Sequence, residues 1–212
     1  DVIEVLRESN VEIKKQLMGL SREDFSEVYL FFDYDAHQTN LGKAVNEDVI
    51  RQMLESFDNE TENGKLYISY PMVEALRDYH PGKCGNGADC FAEIENLGRY
   101  KNVSATRALN PHFKEYDIDI WKDIIDVFAM KVSCLYKLSD TMEYAQYFEE
   151  VTPGQIYVME VQEAERQRVF VLSAFPEFLL DYFGVKLWKT SVKHTRNQMS
   201  ELECRKNWFQ KS

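Results

Sequence analysis

The sequence predicts an α/β fold, and three observations predict it. Val28-Tyr29-Leu30-Phe31-Phe32 is an unbroken run of β-favouring residues that ends abruptly in two carboxylates one residue apart, Asp33 and Asp35. Such a run reads as a strand buried on both faces, the kind found inside a parallel sheet. Helical periodicities separate it from two later strand candidates, 65–69 and 169–173, so that strands and helices alternate along the chain. The composition is that of a globular protein: 212 residues, 44% hydrophobic and 13% aromatic, with nine glycines and five prolines. That excludes disordered and fibrous classes and suffices for one large domain.

The chain opens on a helix, in which Val2, Val5, Leu6, Ile13 and Leu17 recur near helical spacing, Asp1 favours the N-terminal dipole and Gly19 is the stop. The strand at 28–32 follows without a strand ahead of the helix. A parallel sheet of right-handed crossovers would place one there, so we expect a strand upstream of Asp1. Residues 36–42 are polar and loop-like, and Asn46 caps a helix whose face is Val49, Ile50, Met53, Leu54 and Phe57. A loop through Gly64 leads to a second strand, Lys65 to Ser69, and Ser69-Tyr70-Pro71 starts a helix to Tyr79 with proline in its first turn.

Beyond a glycine-rich stretch, 80–90, a long helix is expected from Asp117 to Tyr136, marked by Ile118, Trp121, Ile124, Ile125, Phe128, Val132 and Leu135. Further helices are expected at 140–150 and from Thr152-Pro153 to about 167. A strand follows from Val169 to Ser173, then a short helix from Pro176 to Phe183 stopped by Gly184. The remainder is locally basic, with Lys189, Lys193, His194, Arg196, Arg205 and Lys206, and reads either as a solvated terminal helix or as a contact to phosphate or a partner.

A net charge of −11 and a pI near 4.9 argue against an autonomous, nonspecific nucleic-acid binder, which would cluster Lys and Arg, but not against a protein that uses a metal, a local basic patch or a basic partner. No apolar run of about twenty residues is present, so no membrane span is expected, and the start lacks a signal-peptide pattern. A cytoplasmic protein is the expectation, with Cys84, Cys90, Cys134 and Cys204 as reduced thiols. His80-x3-Cys84-x5-Cys90 invites a zinc reading, but the spacing is wide for structural zinc and a fourth ligand is not evident.

The chemistry concentrates at the first strand's C-terminal end, where open α/β sheets bind ligands. Alternation along the strand would point Asp33 and Asp35 the same way, and two adjacent anions repel unless a cation lies between them. A divalent metal site is one reading; an acidic turn is the other. Glu74, near the start of the helix after the second strand, would stand over the same sheet edge, since adjacent strand ends lie about 5 Å apart. Complementing the helix dipole is its alternative role.

An apolar strand ending in D-x-D, a helix, a second strand and then Ser69-Tyr70-Pro71-Met72-Val73-Glu74 together resemble the Toprim fold. More narrowly, they are similar to the Toprim-related proteins of the RloB-like and OLD-nuclease groups of bacterial antiphage defence. The resemblance implies a Toprim-like Rossmannoid parallel sheet with flanking helices: a single domain over 1–185, with a helical insertion at about 105–168 and a basic extension over 186–212. It implies an Mg²⁺- or Mn²⁺-dependent nuclease acting on DNA or RNA, tRNA included, with metal ligands Asp33, Asp35 and Glu74. Gly98-Arg99-Tyr100-Lys101 is similar to a glycine-tyrosine-lysine element of RloB-like chains and makes Lys101 a phosphate or transition-state contact, where a surface lysine is the plain alternative. An ATPase partner subunit and homo-oligomerisation are associations that such proteins admit.

The family's Glu-Gly segment at the end of its first strand has no counterpart here; Asp1 would be the last acid of that pattern, with the strand upstream. A catalytically impaired, partner-binding Toprim-like module is the alternative function. A haloacid-dehalogenase-type phosphatase also begins with a strand and D-x-D, but His37 stands where it carries threonine or valine.

Overall fold

The computed structural model describes residues 2–9, 11–34, 43–81, 90–138 and 140–188, with the backbone alone for 43–48. It is a mixed α/β protein. Two short helices, α1 (Val2–Ser9) and α2 (Val11–Gln16), precede strand β1 (Tyr29–Asp33), and Gly19 ends the helical segment at φ +82°. Helix α3 (Lys43–Ser56) leads to β2 (Asp58–Asn59) and β3 (Gly64–Ser69). Strand β4 (Phe91–Glu93) is followed by α4 (Leu97–Arg107), α5 (Ile118–Leu135), α6 (Tyr144–Glu150) and α7 (Pro153–Glu165), and the chain returns through β5 (Arg168–Phe170) to α8 (Ala174–Phe183).

The described strands form two small sheets. β1 and β3 pair in parallel, Tyr29 opposite Lys65 and Asp33 opposite Ser69, with β2 antiparallel on the far side of β3 in the order β1-β3-β2. β4 and β5 pair antiparallel. The sheets meet where Tyr70 N–H donates to the Leu172 carbonyl at 2.7 Å and Leu172 N–H to that of Tyr70 at 2.8 Å. The segment between β4 and β5 is thus closed on itself by strand pairing and is helical over most of its length.

The expected burial of the first strand on both faces is corrected. Phe31 is 38% and Phe32 47% exposed. Among the described residues β1 is an edge strand, and a run of β-favouring residues does not by itself distinguish an edge from a centre. Phe31 is half-covered by stacking on Phe175 and Tyr67, with ring centroids at 4.8 and 5.6 Å.

Helix α5 organises the interior. Every residue from Ile124 to Leu135 is buried, although the sequence shows an apolar stripe rather than an all-apolar helix. The helix lies between two clusters, with Leu76, Tyr79 and Phe113 on one side and Phe128, Ile125 and Val132 facing the main core on the other. Its polar residues find partners accordingly: Lys131 Nζ donates to the Asp78 and Val171 carbonyls, each at 2.8 Å, and Ser133 Oγ to Ala129 O at 2.7 Å. The Asp117 carboxylate caps α5 by accepting from Asp119 and Ile120 N–H, and Thr152 caps α7 through Gln155 N–H.

One further expectation is revised. The segment after Pro71 is not an α-helix to Tyr79 but a 3₁₀ stretch, Val73–Arg77. Asp78 leaves the helical path where Tyr100 and Arg107 hold its side chain, and these tertiary bonds outweigh propagation of a short helix. Helix α4 was not evident from periodicity, because it buries only the narrow stripe Leu97, Tyr100 and Ser104 in an otherwise polar segment.

Candidate functional site

Parallel pairing of β1 with β3 brings two chain reversals to the same sheet end. Asp33 closes β1; directly opposite, Ser69 closes β3, and the chain then passes through Pro71 into the 3₁₀ stretch that carries Glu74. Asp33 Oδ1 accepts the Val73 N–H at 2.7 Å, which fixes the carboxylate against the start of that stretch. Glu74, 6% exposed, meets Lys101 of α4, with Nζ to Oε1 at 3.1 Å. Asp33, Glu74 and Lys101, remote in sequence, therefore meet at one place. Asp35 lies outside the described residues, as do Cys84, Cys204 and the basic residues 189–206.

The electrostatics of Asp33 report this arrangement. Burial pushes its carboxyl above the usual carboxylate range and the charge of Glu74 adds to that, while the Val73 N–H and the Lys101 ammonium oppose it. Two carboxylates with one cation make a site that gains from further positive charge. The donor set is all oxygen, which suits a hard divalent ion such as Mg²⁺ or Mn²⁺. Among the described residues no group of three or more His, Cys, Asp or Glu side chains is arranged to hold a metal, so the described part supplies at most two carboxylate ligands.

Behind the site lies a buried cluster that sequence reasoning missed. Asp78, 3% exposed, accepts from the Tyr100 hydroxyl, from Arg107 Nε at 2.7 Å and from Arg107 Nη2, while Lys131 holds its backbone carbonyl. Burial beside Asp78 raises the Tyr100 hydroxyl far above its ordinary pKa. The cluster ties α4, the 3₁₀ stretch and α5 together and so sets where Lys101 stands. The signal that would have found it is the spacing of Tyr100, Ser104 and Arg107 on one helix face.

At the other end of β3 a cleft of about 560 Å³ opens between α3, α6 and α7, lined by Arg51, Phe57, Lys65, Tyr147, Gly154 and Asp181 among others. It does not include Asp33, Glu74 or Lys101. Among the described residues no helix is long and apolar enough to cross a membrane. No protein-family model, curated protein or solved structure matches the chain.

Proposed function

We propose that this chain is a divalent-metal-dependent phosphodiesterase, a nuclease of the type found in bacterial antiphage defence, built on a Toprim-like domain over 1–185 and working in the cytoplasm. The observation that carries the reading is the meeting of Asp33, Glu74 and Lys101 at the C-terminal ends of the parallel strands β1 and β3. Asp33 and Glu74, with Asp35, are the metal ligands in this reading, and Lys101 is the phosphate contact. Mg²⁺ or Mn²⁺ held by these residues would supply an activated water and neutralise charge on a phosphodiester. The Val73 N–H orients Asp33 as such a ligand, and the burial of Glu74 keeps competing water from one of the two carboxylates. The Asp78 cluster holds the helix that bears Lys101. Nucleic acid, DNA or RNA, is the substrate, and an ATPase subunit is the partner class that would supply basic surface to a chain of net charge −11.

The test is cleavage of DNA and RNA by the full-length protein with Mg²⁺ or Mn²⁺. Asp33→Ala lowers the rate at least about 100-fold if it binds the metal. Cleavage that survives Asp33→Ala unchanged refutes the assignment. A specific observation favours a second reading, a partner-binding module: the half-exposed Phe31 and Phe32 on the edge strand. A protein that neither binds Mg²⁺ nor cleaves, yet forms a stable complex with an ATPase subunit, is that module.

A further inference from the structure

The geometry points to Lys101 as the resident counter-cation of the Asp33–Glu74 pair: its ammonium holds the place of a divalent ion, gives it up when that ion enters, and is thereby freed for a substrate phosphate. This inference rests on the proposed reading of the site as a metal centre.

The asymmetry of the ion pair carries it. The Glu74 side chain is 8% exposed and that of Lys101 is 71% exposed, with 3.1 Å between Nζ and Oε1. A carboxylate so far removed from water needs a cation beside it, and Lys101 supplies one. Lys101 itself is tethered loosely. Its side chain reaches Glu74 from solvent, so it withdraws without repacking the core. Lys131 shows the opposite case: it is 4% exposed and its ammonium is pinned between the Asp78 and Val171 carbonyls.

Asp33 stands beside the same ion pair, because its Oδ1 accepts from the N–H of Val73, the residue before Glu74, at 2.7 Å. A divalent ion held by these carboxylates would repel a neighbouring ammonium, so the two cations would compete for Glu74. The displaced ammonium does not leave the neighbourhood. Helix α4 is anchored by Tyr100 and Arg107 on Asp78, at positions flanking Lys101, and the negative charge of a phosphate then replaces that of Glu74 as its partner.

The experiment is Mn²⁺ binding by calorimetry to the full-length protein at constant pH and ionic strength, for wild type, Lys101→Met, Lys101→Arg and Glu74→Gln. Lys101→Met is expected to bind about three- to tenfold more tightly than wild type, the range of an ion pair with one buried partner. Lys101→Arg stays near wild type because the charge remains, and Glu74→Gln binds more weakly. Inorganic phosphate titrated into the Mn²⁺-saturated proteins binds wild type at least about threefold more tightly than Lys101→Met. If Lys101→Met binds Mn²⁺ no more tightly than wild type while Glu74→Gln weakens binding, the counter-cation role is wrong and the metal site stands. Equal phosphate affinities overturn the transfer to substrate. If neither wild type nor Lys101→Met binds Mn²⁺, although thermal melting shows both folded, the metal reading fails and this inference with it.

Discussion

Asp78→Asn tests whether the buried cluster is what holds α4 in place. The substitution keeps the side chain's size but removes the charge that faces Arg107, and it turns an amide nitrogen toward donors already present. Two Arg107 N–H groups and the Tyr100 hydroxyl converge on Asp78, which is 3% exposed. Breaking a fully buried pair costs about 3–5 kcal/mol. The Arg107 side chain is 33% exposed, so water recovers part of that cost, and the expected loss is about 2–3 kcal/mol. For a protein of this size each kcal/mol moves Tm by about 2–4 °C, which gives a drop of about 4–12 °C. Urea denaturation and calorimetry of wild type, Asp78→Asn, Arg107→Met and the double variant measure it. The two single losses should overlap, with a coupling of at least about 1 kcal/mol. A loss below about 0.5 kcal/mol for Asp78→Asn, or strictly additive effects, refutes the reasoning.

Stability should fall with rising pH through two buried acids. Glu160 and Glu177 are almost fully enclosed, each has an Oε1 without a hydrogen-bond partner among the described residues, and burial raises both carboxyls well above 4.5. The folded protein retains protons that the unfolded chain releases above that value. The stability these two groups contribute is therefore complete below about pH 4.5 and declines toward the raised pKa values, by up to about 1.4 kcal/mol per pH unit for each group. Glu160→Gln or Glu177→Gln should flatten the urea-derived stability between pH 5 and 8, and a slope equal to that of wild type would count against a neutral carboxyl. Gly64→Ala should cost about 2–3 kcal/mol in the same assay, since Gly64 sits at φ +117° and an added Cβ would lie 3.2 Å from Val28 Cγ1 and 3.3 Å from its carbonyl oxygen. An unchanged midpoint would mean that the start of β3 relaxes freely.

Where local chemistry decides structure, the sequence was legible. Helix α5 begins beside its capping Asp117 and α7 beside Thr152, and α8 ends at Gly184, φ +66°, because caps and stops act over a few neighbouring residues. The approach of Glu74 to Asp33 was also foreseeable, since each follows a strand and both strands point the same way. Less visible was α4, whose buried stripe of three residues carries too little periodicity, and with it the anchoring of Lys101. The 3₁₀ form of the Glu74 segment was hidden as well, because Asp78 is bound by groups 22 and 29 residues away.

By itself the sequence determined the α/β character and the strand that ends in Asp33. These follow from side-chain period, backbone preference and residue type, all of which act within a few positions. Only the tertiary structure decided that β1 lies at an edge among the described residues, with Phe31 and Phe32 half-exposed, that α5 is buried all round from Ile124 to Leu135, and that Lys101 meets Glu74 while Asp78 holds the helix behind it. Burial and ion pairing depend on which surfaces the fold brings together, and the distance along the chain between Glu74 and Lys101 says nothing of the 3.1 Å between their charges.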